Sequence, residues 1–218
     1  MTEMKTNFQG TAAHPNIVVS LPSDLSFGAH PILAYLEEEV RKGKVFRAGE
    51  TVQMGWLMLM FKETDAGELE VWEPCFGAIP IVWERGASKT YRQLIVQKSV
   101  AELLSVEPSF PSLVQSVVVS PKFKTSRDLL MAREPSTGTD SGWLFAADAS
   151  ESDGGRLASL FAIASERPEV IPFLALPPSA SVVLKDGRVT IRHGNEEVSS
   201  DTSDLLRRLP ASDLIGAP

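Results

Sequence analysis

Near the middle of the chain stands Glu107-Pro108-Ser109-Phe110-Pro111, with two prolines close together. No regular element runs through such a stretch, because proline lacks a backbone donor, fixes its own φ and pushes the preceding residue out of the helical region. The 218 residues are therefore expected to fold as two parts, 1–108 and 109–218. Each is long enough to bury a core without covalent staples. The point matters because the chain holds one cysteine, Cys75, and only 3 histidines. That excludes an internal disulfide framework and the usual Cys/His zinc layouts.

In the first part, 17–19 reads as a short strand broken at Leu21-Pro22-Ser23-Asp24. A helix is expected from Pro31, with Ile32, Leu33, Leu36 and Val40 on one face, Glu37, Glu38 and Glu39 on the other, and Gly43 closing it. The apolar run 54–61 is far short of the ~20 residues of a membrane helix. It reads instead as one buried strand within 51–61. Asp65-Ala66-Gly67-Glu68 turns it into a second strand at 69–72, and 79–83 is a third. Tyr91, Leu94, Ile95, Val100, Ala101, Leu103 and Leu104 carry a helical pattern, with Ser88 placed as its cap.

Beyond the prolines, 114–120, 129–133 and 142–146 read as strands, with an exposed polar loop at 135–139. Leu157, Leu160, Phe161 and Ala164 form a helical stripe that Pro168 ends. Lys185-Asp186-Gly187-Arg188 joins 182–184 to 189–191 in a hairpin, since Asp-Gly supplies the positive φ angles of a tight turn. Residues 203–209 read as a short capped helix. The fold class is α+β: two small domains, each a mostly antiparallel sheet with helices packed on it.

Chemistry is sparse. The net charge is −7 and both halves are acidic, which disfavours nucleic acid as a direct partner. Residues 1–10 are polar and lack the apolar centre of a signal peptide, so a cytoplasmic location is expected. His14 is expected in a mobile N-terminal head, His30 abuts Pro31 at a helix start, and His193 sits beside Gly194 in a turn. None of these environments supplies the nucleophile, base and orienting group of covalent catalysis. Cys75, between Pro74 and Phe76, reads as an inert buried thiol. Neither phosphate-binding glycine pattern occurs, and Gly154-Gly155 alone marks no nucleotide site. No catalytic residue, metal or cofactor is assigned.

One dense polar cluster remains, Asp140, Asp148, Glu151 and Asp153, flanking the strand that holds Trp143. Three readings apply to it. It could hold Ca²⁺ or Mg²⁺ and activate water in a cation-dependent hydrolase. It could be a solvated loop capping the following helix. Or it could be a rim that a positively charged protein grips. Within the strand itself, Trp143 and Phe145 share one face and Leu144 takes the other.

From about 117 to 184 the chain resembles an immunity-protein family of bacterial polymorphic toxin and type VI secretion systems, the thirty-third class, formerly a domain of unknown function. Val117-Val118-Val119-Ser120 is similar to the family's opening strand, and Met131-Ala132-Arg133-Glu134-Pro135 to its second strand. Asp140-Ser141-Gly142-Trp143-Leu144-Phe145 is similar to its most recognisable motif. Pro168-Glu169-Val170-Ile171-Pro172 and Leu176-Pro177-Pro178-Ser179-Ala180 follow in the family's order. Ala147-Asp148-Ala149-Ser150-Glu151 departs from the Gly-Asp-Glu the family often shows. The resemblance implies an antitoxin that binds and neutralises a cognate secreted toxin, with no turnover of its own. A nuclease effector would suit an acidic inhibitor, and an effector-loading adaptor is the alternative binding role. Expected partner contacts are Asp148, Glu151 and Asp153, with Glu37, Glu38 and Glu39. Nothing in the sequence assigns an oligomeric state.

Overall fold

The computed structural model describes residues 1–8, 14–147 and 155–209. The chain divides into two compact units, Met1–Arg92 and Gln93–Pro218. The division lies upstream of the proline-rich stretch at which the sequence places a boundary.

The first unit contains β1 (Thr2–Lys5), β2 (Ile17–Leu21), α1 (Ala29–Arg41), β3 (Thr51–Met54), β4 (Leu57–Glu63), β5 (Leu69–Cys75) and β6 (Val82–Arg85). The sheet runs β1-β2-β5-β4-β3, and β6 pairs with β5. Among the described residues its one parallel pair is β2 with β5. All five residues of β2 are buried, as expected for a strand with neighbours on both edges and α1 laid over it. Ala29, Ile32, Leu33, Leu36 and Val40 form the buried stripe of α1, on the face the spacing predicts.

Three expectations for the strands and head of this unit are corrected. The run 54–61 is two strands, because Gly55 takes a φ of +57° and opens a two-residue turn that sets Met54 opposite Leu57. Trp56 in that turn is fully buried, its ring 5.8 Å from Phe76 in a near-parallel stack. His14 does not lie in a loose head: its Nε2 accepts from the Phe46 N–H at 2.9 Å, and its ring meets the edges of Phe8 and Phe46. The third strand begins at Val82 rather than at 79.

Helix α2 (Ser88–Leu103) begins in the first unit and ends in the second. Ser88 is its first helical residue and not a preceding cap. The orphan donors are met from the sheet instead: Glu73 of β5 accepts from the Lys89 N–H at 3.0 Å, and from the Thr90 N–H and hydroxyl at 2.7 and 2.8 Å. A carboxylate at a helix N-terminus is favoured by both the free N–H groups and the macrodipole.

The second unit adds β7 (Ser116–Val119), β8 (Leu129–Arg133), β9 (Asp140–Ala146), β10 (Arg156–Ser159), α3 (Leu160–Glu166), β11 (Ala180–Lys185), β12 (Arg188–His193), β13 (Glu196–Ser199) and α4 (Asp204–Arg208). Its sheet runs β10-β7-β9-β8-β11-β12-β13, in which β7 and β9 pair in parallel. Both sheets are thus mixed but mostly antiparallel, and the fold is α+β. Asp186 and Gly187 take φ of +50° and +74°, the tight turn that joins β11 to β12. Ser203 accepts from the Leu206 N–H and caps α4.

Leu157 does not belong to a helix. It sits in β10 opposite Val118, and the helix starts at Leu160, where Ser159 Oγ accepts from the Ala162 N–H at 3.1 Å. The apolar spacing there mixes a strand with a helix. Among the described residues no helix is long and apolar enough to cross a membrane.

Candidate functional site

The two motif segments 131–135 and 140–145 come together as neighbouring strands, β8 and β9, with Arg133 registered opposite Trp143. Alternation sends Arg133, Trp143 and Phe145 inward, all buried, and turns Leu144 out. The Arg133 side chain, 5% exposed, is held by backbone carbonyls. Its Nη1 donates to Ser109 and Leu176 at 2.5 Å each and to Leu174 at 3.4 Å, and its Nε donates to Ser141 at 3.2 Å. The planar guanidinium fork fits this convergence, which a lysine ammonium could not match. Burial away from water pushes the guanidinium pKa down to about 10.

Around this arginine the rest of the motif is bound in place. Trp143 Nε1 donates to the Leu174 carbonyl at 3.1 Å. Gly142 has a φ of +75°, and a Cβ there would lie 2.0 Å from the Glu134 carbonyl oxygen, so only glycine fits. The Glu134 N–H donates to the Gly142 carbonyl at 2.9 Å. Asp140 accepts from the Gly142 N–H at 2.9 Å and from the Thr137 N–H and hydroxyl, and these bonds hold its carboxyl below the usual carboxylate range. Ser141, also buried, donates its hydroxyl to the Ser116 carbonyl at 3.1 Å. Asp140, Ser141, Gly142 and Trp143 therefore fix a strand and its turn. Ser109, Leu174 and Leu176 belong to the same knot through backbone carbonyls alone, which no side-chain signal in the sequence marks.

The expected partner contacts divide. Asp148, Glu151 and Asp153 lie outside the described residues. Glu37, Glu38 and Glu39 share α1 and are half-buried; Glu38 pairs with Arg41 and Lys42, and Glu39 with Lys42 at 3.1 Å. The charge of that helix face is thus partly balanced from within. His30 is exposed, His193 half-buried, and Cys75 is a half-buried free thiol on β5. Among the described residues no group of three or more His, Cys, Asp or Glu side chains could hold a metal ion.

Residues 96–201 match the family model of the Imm33-like domain. The match encloses the whole stretch over which the motifs resemble the immunity family and extends it in both directions. Neither a curated protein nor a solved structure is found to match the chain.

Proposed function

From the Imm33-like domain carried by residues 96–201, we propose that this chain is an immunity protein, an antitoxin that binds a cognate secreted toxin and neutralises it by occupying it. The family match carries the reading. The motif residues support it, because Arg133, Gly142 and Trp143 are committed to holding strands in place, which is what a rigid binding scaffold requires. The toxin is proposed to be a nuclease met in the cytoplasm. Its active site must attract phosphate, and a partner of net charge −7 would be steered toward it. The acidic positions Asp148, Glu151 and Asp153, and secondarily Glu37, Glu38 and Glu39, are the proposed contacts for that steering.

The test is co-expression of this chain with the toxin encoded beside its gene. Survival with the chain present and death without it are expected. Death in both cases, with toxin and chain bound to each other, would make the chain an effector-loading adaptor. The cation-dependent hydrolase reading needs Asp140 as a ligand, yet that carboxylate already accepts from Thr137 and Gly142. A rise in melting temperature with Mg²⁺, Mn²⁺ or Ca²⁺ would restore that reading.

A further inference from the structure

We propose that the outer face of the second sheet, centred on Leu157, Val118 and Leu144, is the surface that seats the partner protein. The inference rests on the immunity reading above and adds where the toxin is held and what its surface is like.

The row follows from register. Leu157 of β10 stands opposite Val118 of β7, Val118 opposite Leu144 of β9, and Leu144 opposite Ala132 of β8. Residues opposite one another on adjacent strands project to the same side. The alternate positions, Val117, Val119, Trp143 and Phe145, are buried, so the row is turned away from the core. Its members are the open ones, with Leu157 71% exposed and Val118 and Leu144 37% each. An isolated exposed leucine is ordinary; three large apolar side chains in register across three strands form a patch. Half-buried Leu130 and Val183, opposite one another on β8 and β11, continue it.

Charge decides what kind of surface covers this patch. The row from Leu157 to Ala132 carries no charged side chain. At the end of β8 and the start of β9 the border is acidic, with exposed Glu134 and half-buried Asp140. The polar partners of Asp140 are the neutral Thr137 and Gly142, so its negative charge is not cancelled there. The fitting occupant is a protein face with an apolar ridge bordered by lysine or arginine: the ridge covers Leu157, Val118 and Leu144 while the cation meets Glu134 and Asp140. A second copy of this chain is the poorer fit, since two molecules of net charge −7 repel.

The experiment measures affinity for the toxin encoded beside this gene, comparing the unmodified chain with the double variant Val118→Asp, Leu144→Asp and with Glu134→Lys. Amide exchange of the unmodified chain, free and bound, is followed in parallel. The double variant is expected to bind at least about 100-fold more weakly, as for the loss of central anchors. Glu134→Lys should slow association at low salt, and the amides of 116–119 and 156–159 should gain protection in the complex. A double variant that melts like the unmodified chain and binds within about 3-fold of it, with no gain in protection, overturns the surface and leaves the immunity reading standing. An unmodified chain that does not bind the toxin overturns both. Should the double variant fail to fold, the exchange pattern decides. A dimer dissolved by Leu157→Arg would assign the face to a second copy and overturn the proposal.

Discussion

Arg133 and Trp143 share one acceptor: the Leu174 carbonyl takes a hydrogen bond from Arg133 Nη1 at 3.4 Å and from Trp143 Nε1 at 3.1 Å. The two side chains face each other across β8 and β9, with the guanidinium carbon 5.6 Å from the indole ring centre. A charge buried over an aromatic face gains from the ring quadrupole, while the carbonyls take the place of lost water. The pair thereby ties the middle of the sheet to the segments at Ser109 and 174–176.

Arg133→Met keeps much of the apolar stem and removes every donor. Several buried carbonyls then lose a partner, at about 1–3 kcal/mol for each left unsatisfied. A loss of about 3 kcal/mol or more in denaturant unfolding is expected. Arg133→Lys should recover little of it, because one ammonium cannot reach carbonyls spread around a plane. Trp143→Phe, which gives up one hydrogen bond and some buried area, should cost about 2 kcal/mol. In a double-mutant cycle the combined loss should exceed the sum of the two, because each single variant leaves the Leu174 carbonyl one donor and only the double variant strips it of both; strict additivity would mean the shared carbonyl does not couple them.

Gly142 and Gly187 have nearly the same φ, +75° and +74°, in different surroundings. An added Cβ at Gly187 meets nothing within 4 Å, whereas at Gly142 it meets the Glu134 carbonyl at 2.0 Å. Gly187→Ala should therefore cost only the left-handed strain, about 1 kcal/mol. Gly142→Ala must also displace backbone and should lower the melting temperature much further. Equal shifts in the two variants would discount the contact with Glu134.

The Glu73 carboxyl is 2% exposed, and burial raises its pKa above the ordinary value of 4.5 against the hydrogen bonds from Thr90 and Lys89. An acid whose pKa is higher in the folded chain holds its proton more tightly there. Between the two pKa values the folded state binds more protons than the unfolded one, so stability falls as pH rises through that window. Glu73→Gln carries no charge at any pH and should flatten the fall, measured as unfolding midpoints from about pH 4.5 to about pH 8. Parallel curves for the two proteins would show that Glu73 does not set the slope. Glu73→Ala removes the acceptor for the helix donors and should cost about 1–2 kcal/mol.

Reversing Asp148 and Glu151 to lysine should slow association with the toxin and reduce its dependence on ionic strength, since steering charges act chiefly on the encounter. Reversing Glu38 and Glu39 should do less, because Arg41 and Lys42 already offset them. Stopped-flow association rates at low and high salt distinguish these outcomes. Unchanged rates at low salt for the Asp148 and Glu151 reversals would discard those acidic positions as contacts.

Legibility followed the range of the interactions involved. The strand at 129–133 and the split of Trp143 and Phe145 from Leu144 were readable, since alternation along a strand is local. Leu157 was not, because whether it continues a helix depends on its pairing with Val118 across the chain. Nor was the capping of α2, where Ser88 met the local rule and Glu73 on a neighbouring strand supplied the acceptor.

By itself, the sequence determined the stiff local pieces: the Asp186-Gly187 turn, the capped helix after Ser203 and the apolar stripe of α1. Each depends on steric limits within a few residues. Only the tertiary structure decided that Arg133 would be ringed by carbonyls from Ser109, Leu174 and Leu176, that His14 would fit between Phe8 and Phe46, and that Leu157, Val118 and Leu144 would align on one open face. Backbone carbonyls are the same in every residue and strand register is set between distant segments. No local pattern encodes either until the chain has folded back on itself.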